Sequence, residues 1–387
     1  MYAALTWQSL PTLETPLLLL DEQTMQRNIV RMQTRMNSLG VAFRPHVKTS
    51  KCPEVARRQL AAGATGITVS TLKEAEEFFG QGFNDILYAV AMVPNKLEHA
   101  LQLLRAGLHL TLLVESVAAA EMLSQHGRAN GVCYEVLIEV DTDGHRSGIE
   151  PADPLLLQVA STLQNDGKQG ARFKGVLTHA GSSYDLRTPE ALVAMAEQER
   201  SLCVLAAENL RAAGYPCEVV SIGSTPTALS ATSLPGVTEV RAGVYVFFDL
   251  VMAGVGICSK EDIALSVLCT VIGHRPANGW IITDGGWMAM SRDRGTQKQE
   301  HDFGYGMVCD VAGKVIPELA FTQANQEHGV LQWDGQAQTN IAQKFPIGSQ
   351  LRIVPNHACA TGAQHQRYVV LPAVGNELQV WERFGGW

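Results

Sequence analysis

Residues 21–48 read DEQTMQRNIVRMQTRMNSLGVAFRPHVK. Met25, Ile29, Met32 and Met36 recur at steps of three and four, which places them on one face of a helix over 21–39. Gly40 stops that helix, and the apolar, β-branched run from Val41 predicts a strand ending at Lys48. The same unit then repeats. Short strand-like runs occur at about 67–70, 85–90, 109–114, 134–141, 174–180, 218–223 and 239–245, with Ala-, Leu-, Glu- and Gln-rich helical stretches such as 71–80, 94–107 and 189–214 between them. After Gly223 there is room only for a short helix. Eight alternating units predict an α/β fold of the (β/α)8 TIM-barrel type; an open, doubly wound sheet has the same periodicity and is the alternative.

Beyond Gly256 the long helical patterns fade. Runs at 264–272, 279–284, 350–354 and 379–384, separated by Gly, Pro and Asn, predict a mostly β domain. The expected division is residues 21–256 as the barrel and 257–387, with 1–20, as the β domain. The strand-like TPLLLL at 15–20 could pair into either.

A hydrophobic content of 46 % argues against disorder, and a net charge of −8 gives no electrostatic basis for binding nucleic acid or an anionic membrane. No apolar run approaches the roughly 20 residues of a membrane-spanning helix. MYAALTWQSL lacks the basic and apolar regions of a signal peptide, and the eight scattered Cys form no CxxC pair. A reduced, cytoplasmic setting is the expectation.

A barrel carries its chemistry at the C-terminal ends of its strands. Lys48, Arg146, His179, Tyr184 and Arg241 all fall at such ends. Ser224 and Thr225 follow the seventh strand, and Gly243, Val244 and Tyr245 lie at the eighth, where barrels commonly hold phosphate on backbone N–H groups. Each residue alone has a structural reading: a surface lysine, a satisfied core histidine, rim salt bridges, a glycine for a tight turn. Their convergence on one rim is what points to a site.

At these residues the sequence resembles the fold type III pyridoxal-phosphate enzymes, whose barrel is that of alanine racemase. Within them it is similar to the D-serine dehydratase and D-threonine aldolase group. The resemblance runs through RPHVKTSK (44–51), DTDGHRSG (141–148), THAGSSY (178–184), GSTPT (223–227) and VRAGVY (240–245), and so through essentially the whole chain. Pro355-Asn356-His357-Ala358-Cys359 resembles the segment of the zinc-dependent D-serine dehydratases; the aldolases tend to carry an acid where Cys359 stands.

The resemblance implies a role for each of these residues. Lys48 would hold pyridoxal 5'-phosphate and act as base, Arg146 would lie near its phenolic oxygen, and His179 against the ring. Arg241 would face the pyridine nitrogen and leave it largely unprotonated. Ser224, Thr225, Gly243 and Val244 would bind the phosphate, with Tyr184 and Tyr245 as added contacts. His357 and Cys359, with side chains on one face of a strand, would hold a divalent metal, zinc with manganese as the alternative, that helps a β-hydroxyl leave. The implied activity is dehydration of a D-3-hydroxy amino acid: D-serine to pyruvate and ammonia, or D-threo-3-hydroxyaspartate to oxaloacetate and ammonia. Retro-aldol cleavage, racemisation and a non-catalytic cofactor carrier are the other readings. A β-carboxylate would need a cation or a strong donor, for which Arg292, Arg294 and His328 are candidates. The resemblance also implies a homodimer.

Overall fold

The computed structural model describes residues 10, 12–164 and 170–387. The chain enters on a strand, β1 (Leu17–Asp21), followed by a helix, Glu22–Ser38. Met25, Ile29, Met32 and Met36 are all buried, as a stripe of that spacing requires. The Asp21 carboxylate caps the helix by accepting from the Thr24 N–H at 2.8 Å.

Two compact units divide the chain. One is Val30–Gly243 with Gly386–Trp387; the other takes the described residues up to Ile29 and Val244–Gly385. In the first, β2 (Ala42–Phe43), β3 (Ile67–Val69), β4 (Asp85–Ala91), β5 (His109–Val114), β6 (Cys133–Glu139), β7 (Gly170–Leu177), β8 (Val219–Ile222) and β9 (Glu239–Val240) form a parallel sheet in the order β2-β9-β8-β7-β6-β5-β4-β3. A parallel bridge between His46 and Thr68 joins its two ends, and the (β/α)8 barrel closes. Helices follow the strands, down to the six residues of Thr225–Ser230 after β8. Leu87, Leu113, Leu137 and Leu177, one from each of β4 to β7, make a buried cluster, each worth about 1.5–3 kcal/mol of burial.

The strand expected up to Lys48 pairs regularly only at Ala42–Phe43. Pro45 has no N–H to give to a ladder, and beyond it pairing shrinks to His46, bridged to Thr68 on one side and bonded to the Ala242 carbonyl at 2.8 Å on the other; Lys48 lies in the turn that follows.

The second unit is a sheet of β1, β10 (Leu265–Arg275), β11 (Trp280–Thr283), β12 (Met307–Cys309), β13 (Val315–Ala324), β14 (Gly329–Trp333), β15 (Gln350–Val354), β16 (Arg367–Leu371) and β17 (Gln379–Glu382). The antiparallel ring β10-β11-β14-β13-β12-β15-β10 closes on itself, leaving those strands no free edge. The early part of β10 pairs with β1, which runs parallel to β16 on its other side. TPLLLL therefore pairs into this unit, where Leu19 packs with Leu268, Val369 and Leu371. No helix among the described residues is long and apolar enough to cross a membrane. All eight Cys are free thiols.

Candidate active site

The barrel unit supplies a cationic mouth. Past His46 the chain turns tightly, the Lys51 N–H donating to the Val47 carbonyl at 2.7 Å. Lys51 takes a left-handed φ of +43°, uncommon for a residue with a side chain, and its amine reaches the buried Glu74 carboxylate at 3.1 Å. That ion pair fixes the turn from which Lys48 projects, exposed and with no carboxylate partner among the described residues. Gly243 packs on the same turn. A Cβ there would come within 3.0 Å of the His46 carbonyl and 3.1 Å of Thr49 Oγ1.

Arg241 is buried, donating from Nη1 to Ser221 Oγ at 2.7 Å and from Nη2 to the Thr178 carbonyl at 2.6 Å. Behind it, Ser221 donates to Glu239 at 2.7 Å, and Arg44 Nε donates to the other oxygen of Glu239 at 2.6 Å. His179 donates from Nδ1 to the Gly223 carbonyl, 2.9 Å away; a carbonyl only accepts, so Nδ1 carries the proton and Nε2 is left as the acceptor. Burial pushes the His179 pKa down to about 3, with the charges of Arg146, Lys48 and Arg241 adding to it. Burial, then Lys48 and Arg241, likewise hold His46 well below the ordinary range. Lys48, Arg146, His179 and Arg241 thus share one electrostatic neighbourhood with His46. Arg146, exposed like Lys48, lies 4.0 Å from Glu139.

The turn after β8 is built for close backbone approach. Gly223 has φ +127°, and a Cβ there would strike the Arg241 carbonyl at 2.3 Å. Ser224 and Thr227 cap the next helix reciprocally, and Ser224 Oγ lies 2.8 Å from Ser183 Oγ. Tyr184 is near His179, with ring centroids 6.1 Å apart. A mouth of three cations, two neutral imidazoles and a glycine turn with hydroxyl residues after it fits an anionic, aromatic cofactor with a phosphate.

Glu199 was not legible as a site residue. It lies in the helix Pro189–Ala212, fully buried, and its Oε1 accepts from the Ala180 N–H at 2.9 Å and the Gly223 N–H at 3.0 Å. It therefore ties the loop after β7 to the turn after β8. Replacing Glu199 by leucine strands two buried donors at about 1–3 kcal/mol each. Denaturant titration should show a loss of about 2–6 kcal/mol, with glutamine, which keeps an acceptor oxygen, losing less.

The buried imidazoles make the barrel acid-sensitive. His179 binds its proton near pH 3 when folded and near 6.5 when unfolded, so between these values the unfolded chain holds more protons and stability falls as pH falls. The expected loss from this residue at pH 5 is about 2 kcal/mol relative to neutral pH. His179→Phe should flatten that part of a melting-temperature profile, an unchanged profile being the contrary result.

The β unit holds the other candidates. Val244 and Tyr245 lie buried in the turn Val244–Val246, where the Phe248 N–H returns to the Val244 carbonyl at 2.7 Å. His357 and Cys359 are not on a strand. β15 ends at Val354, and His357 is the N-cap residue of a short helix, Ala358–Gly362. Two long-range anchors break the strand. Asn356 donates to the Asp293 and Gly304 carbonyls at 3.1 and 2.7 Å. Asp249, buried, accepts from the Ala358 N–H at 2.9 Å. The two side chains still meet, through the turn of the helix rather than the pleat of a strand. His357 Nδ1 sits 2.6 Å from Asp293 Oδ2. Burial alone would lower the His357 pKa, but the Asp293 carboxylate and the Cys359 thiol raise it to about 11.

Among the described residues no group of three or more His, Cys, Asp and Glu is arranged to hold a metal. His357 and Cys359 nonetheless fit one: imidazole and thiolate suit zinc, and a carboxylate on Nδ1 orients Nε2 as ligand. Of the candidates for a β-carboxylate, Arg294 is paired with Asp302 at 2.7 Å, and His328 is exposed in a loop. Arg292 lies over the Trp287 ring, 4.5 Å from its centroid.

Residues 20–251 match the alanine racemase N-terminal domain, and residues 264–371 match the serine dehydratase domain. The chain belongs to this family. It is a pyridoxal-phosphate-type fold, as RPHVKTSK and the motifs after it imply. The chain is 62% identical over 381 residues to the D-threo-3-hydroxyaspartate dehydratase of Delftia sp. (strain HT23), with 98% of this chain and 99% of that one covered. It is 30% identical to the D-serine dehydratase of Dictyostelium discoideum, with 96% of each covered. A cysteine-to-alanine variant of D-threo-3-hydroxyaspartate dehydratase, solved in a metal-free form, superposes with a TM-score of 0.95 over 99% of this chain and 100% of that one, at 62% identity.

Proposed function

We propose that this chain is a pyridoxal-phosphate- and metal-dependent ammonia-lyase that dehydrates D-3-hydroxy amino acids, with D-threo-3-hydroxyaspartate going to oxaloacetate and ammonia and D-serine to pyruvate and ammonia. The observation that carries this reading is 62% identity over nearly the whole of both chains to a D-threo-3-hydroxyaspartate dehydratase.

Bound pyridoxal phosphate supplies an electron sink that makes the α-proton of an attached amino acid acidic. Lys48 is the residue that would hold it and then take that proton; its amine, in a turn clamped by Lys51 and Glu74, has no carboxylate partner among the described residues, which supports both roles. Arg241, locked by Ser221 and Thr178, offers a cation to the pyridine nitrogen. Such a partner would disfavour a proton on that nitrogen and weaken the sink, so help at the leaving group would matter more. His179, held neutral, would lie against the ring, and Arg146 would offer charge to the phenolic oxygen. Ser224, Thr225, Gly243 and Val244 hold the phosphate, with Tyr184 and Tyr245 beside them. His357 and Cys359 hold zinc rather than manganese, because thiolate is the soft donor; the metal would act as a Lewis acid on the β-hydroxyl. Asp293 keeps the imidazole in the ligating tautomer. The working form is a homodimer, which light scattering of the purified protein would measure.

Ammonia release should be read over the D- and L-forms of serine, threonine and threo-3-hydroxyaspartate. Release confined to D-forms supports the reading. Glycine and an aldehyde in place of ammonia would assign the chain to the aldolases, and interconversion of D- and L-forms to the racemases.

A further inference from the structure

We propose that Arg292 is the specificity residue that selects a second, β-carboxylate on the substrate, so that the preferred substrate is a 2-amino-dicarboxylate rather than D-serine; this rests on the dehydratase reading above. Three observations converge. First, Arg292 is exposed and has no carboxylate partner among the described residues, whereas Arg294, two residues on, is neutralised by Asp302 at 2.7 Å and packs over Tyr305. Second, the guanidinium is not left to wander. It lies over the Trp287 ring, 4.5 Å from the centroid, a contact that restrains a planar group able to grip a carboxylate at two points. Third, its backbone is held in place against the metal-binding pair. Arg292 immediately precedes Asp293, whose side chain contacts His357 Nδ1 at 2.6 Å and whose carbonyl accepts from Asn356 at 3.1 Å.

The turn that does this is strained. Ser291 adopts φ +75° and ψ +167°, a region populated essentially by glycine. Its N–H closes the helix Trp287–Met290 by donating to the Trp287 carbonyl at 2.8 Å, and its hydroxyl accepts from the Asp293 N–H at 3.2 Å. The Met290 carbonyl is pinned by Thr361 Oγ1 at 2.7 Å, from the helix that carries Cys359. An unfavourable backbone conformation kept at the residue before an unpaired, stacked arginine is what a recognition turn looks like. A β-carboxylate and a metal-polarised β-hydroxyl sit on the same substrate carbon, so one short segment carrying Asp293 and Arg292 can serve both.

The test compares wild type, Arg292→Gln and Arg292→Lys as holoenzymes with metal. On D-threo-3-hydroxyaspartate, kcat/KM should fall on the order of 10²-fold or more in the glutamine variant, chiefly through KM, and less in the lysine variant, which keeps the charge but not the fork. On D-serine, kcat/KM should stay within about two-fold. Equal losses on both substrates, or none on either, overturn the proposal. So does wild type that prefers D-serine. D-Aspartate, which lacks the hydroxyl that leaves, gives a readout independent of turnover: the shift it causes in the visible spectrum of the bound cofactor should need far more ligand in Arg292→Gln, while that caused by D-alanine should not change. Should wild type dehydrate nothing, the dehydratase reading fails, and the D-aspartate titration still decides whether Arg292 recognises a second carboxylate.

Discussion

Lys48→Ala yields a folded protein that releases no measurable ammonia from D-threo-3-hydroxyaspartate or D-serine. The two consequences separate because of where Lys48 lies. It is exposed, and the turn below it is held by Lys51, Glu74 and the Val47 carbonyl, so the stability change should stay within about 0.5 kcal/mol. The same substitution removes the amine that both holds the cofactor and moves the α-proton, and loss of a residue with two such roles costs on the order of 10³-fold or more. Borohydride reduction provides the check apart from activity. It should fix the cofactor on the peptide containing Lys48 in wild type and on no lysine in the variant. Label on Lys51 instead would reverse the roles assigned to the two lysines of RPHVKTSK, and retained ammonia release would remove Lys48 from the chemistry.

The second large effect lies in the β unit. His357→Ala and Cys359→Ala should each lose bound metal and lower turnover by about 10²–10⁴-fold, since Lewis-acid help to a poor leaving group is worth several kcal/mol. A chelator should reproduce the loss in wild type, and zinc should restore it there but not in the variants. Asp293→Asn is a graded probe. It keeps an oxygen near His357 Nδ1 but removes the charge, so metal affinity should fall about 10–100-fold while saturating metal recovers activity. Metal content, measured on each protein before assay, distinguishes a lost ligand from a disturbed fold. Full activity in metal-stripped wild type would mean that His357 and Cys359 are structural.

What could be read from the sequence was what is local. Met25, Ile29, Met32 and Met36 announce their helix, and the alternation after it counts out the barrel, because periodicity is a property of neighbouring residues. Lys48 was visible through its motif. Its clamp was not: Glu74, the partner of Lys51, comes from another helix. Glu199, Ser221 and Glu239 escaped for the same reason; each acts through a hydrogen bond to a residue at least 18 positions away. The strand expected to carry His-x-Cys stops at Val354. The strand is ended by Asn356 bonding to Asp293 and Gly304, a contact across more than 50 residues that no local pattern carries. Of the two arginines offered for a β-carboxylate, only the fold distinguishes Arg292, by pairing Arg294 with Asp302.

The most direct test of the central claim is to identify the products from D-threo-3-hydroxyaspartate by NMR with the metal-loaded holoenzyme. Oxaloacetate and ammonia in equal amounts, with the four-carbon skeleton intact, is the expected result. Glycine and glyoxylate without ammonia would show that the Cα–Cβ bond breaks instead, and that the chain is an aldolase despite Cys359.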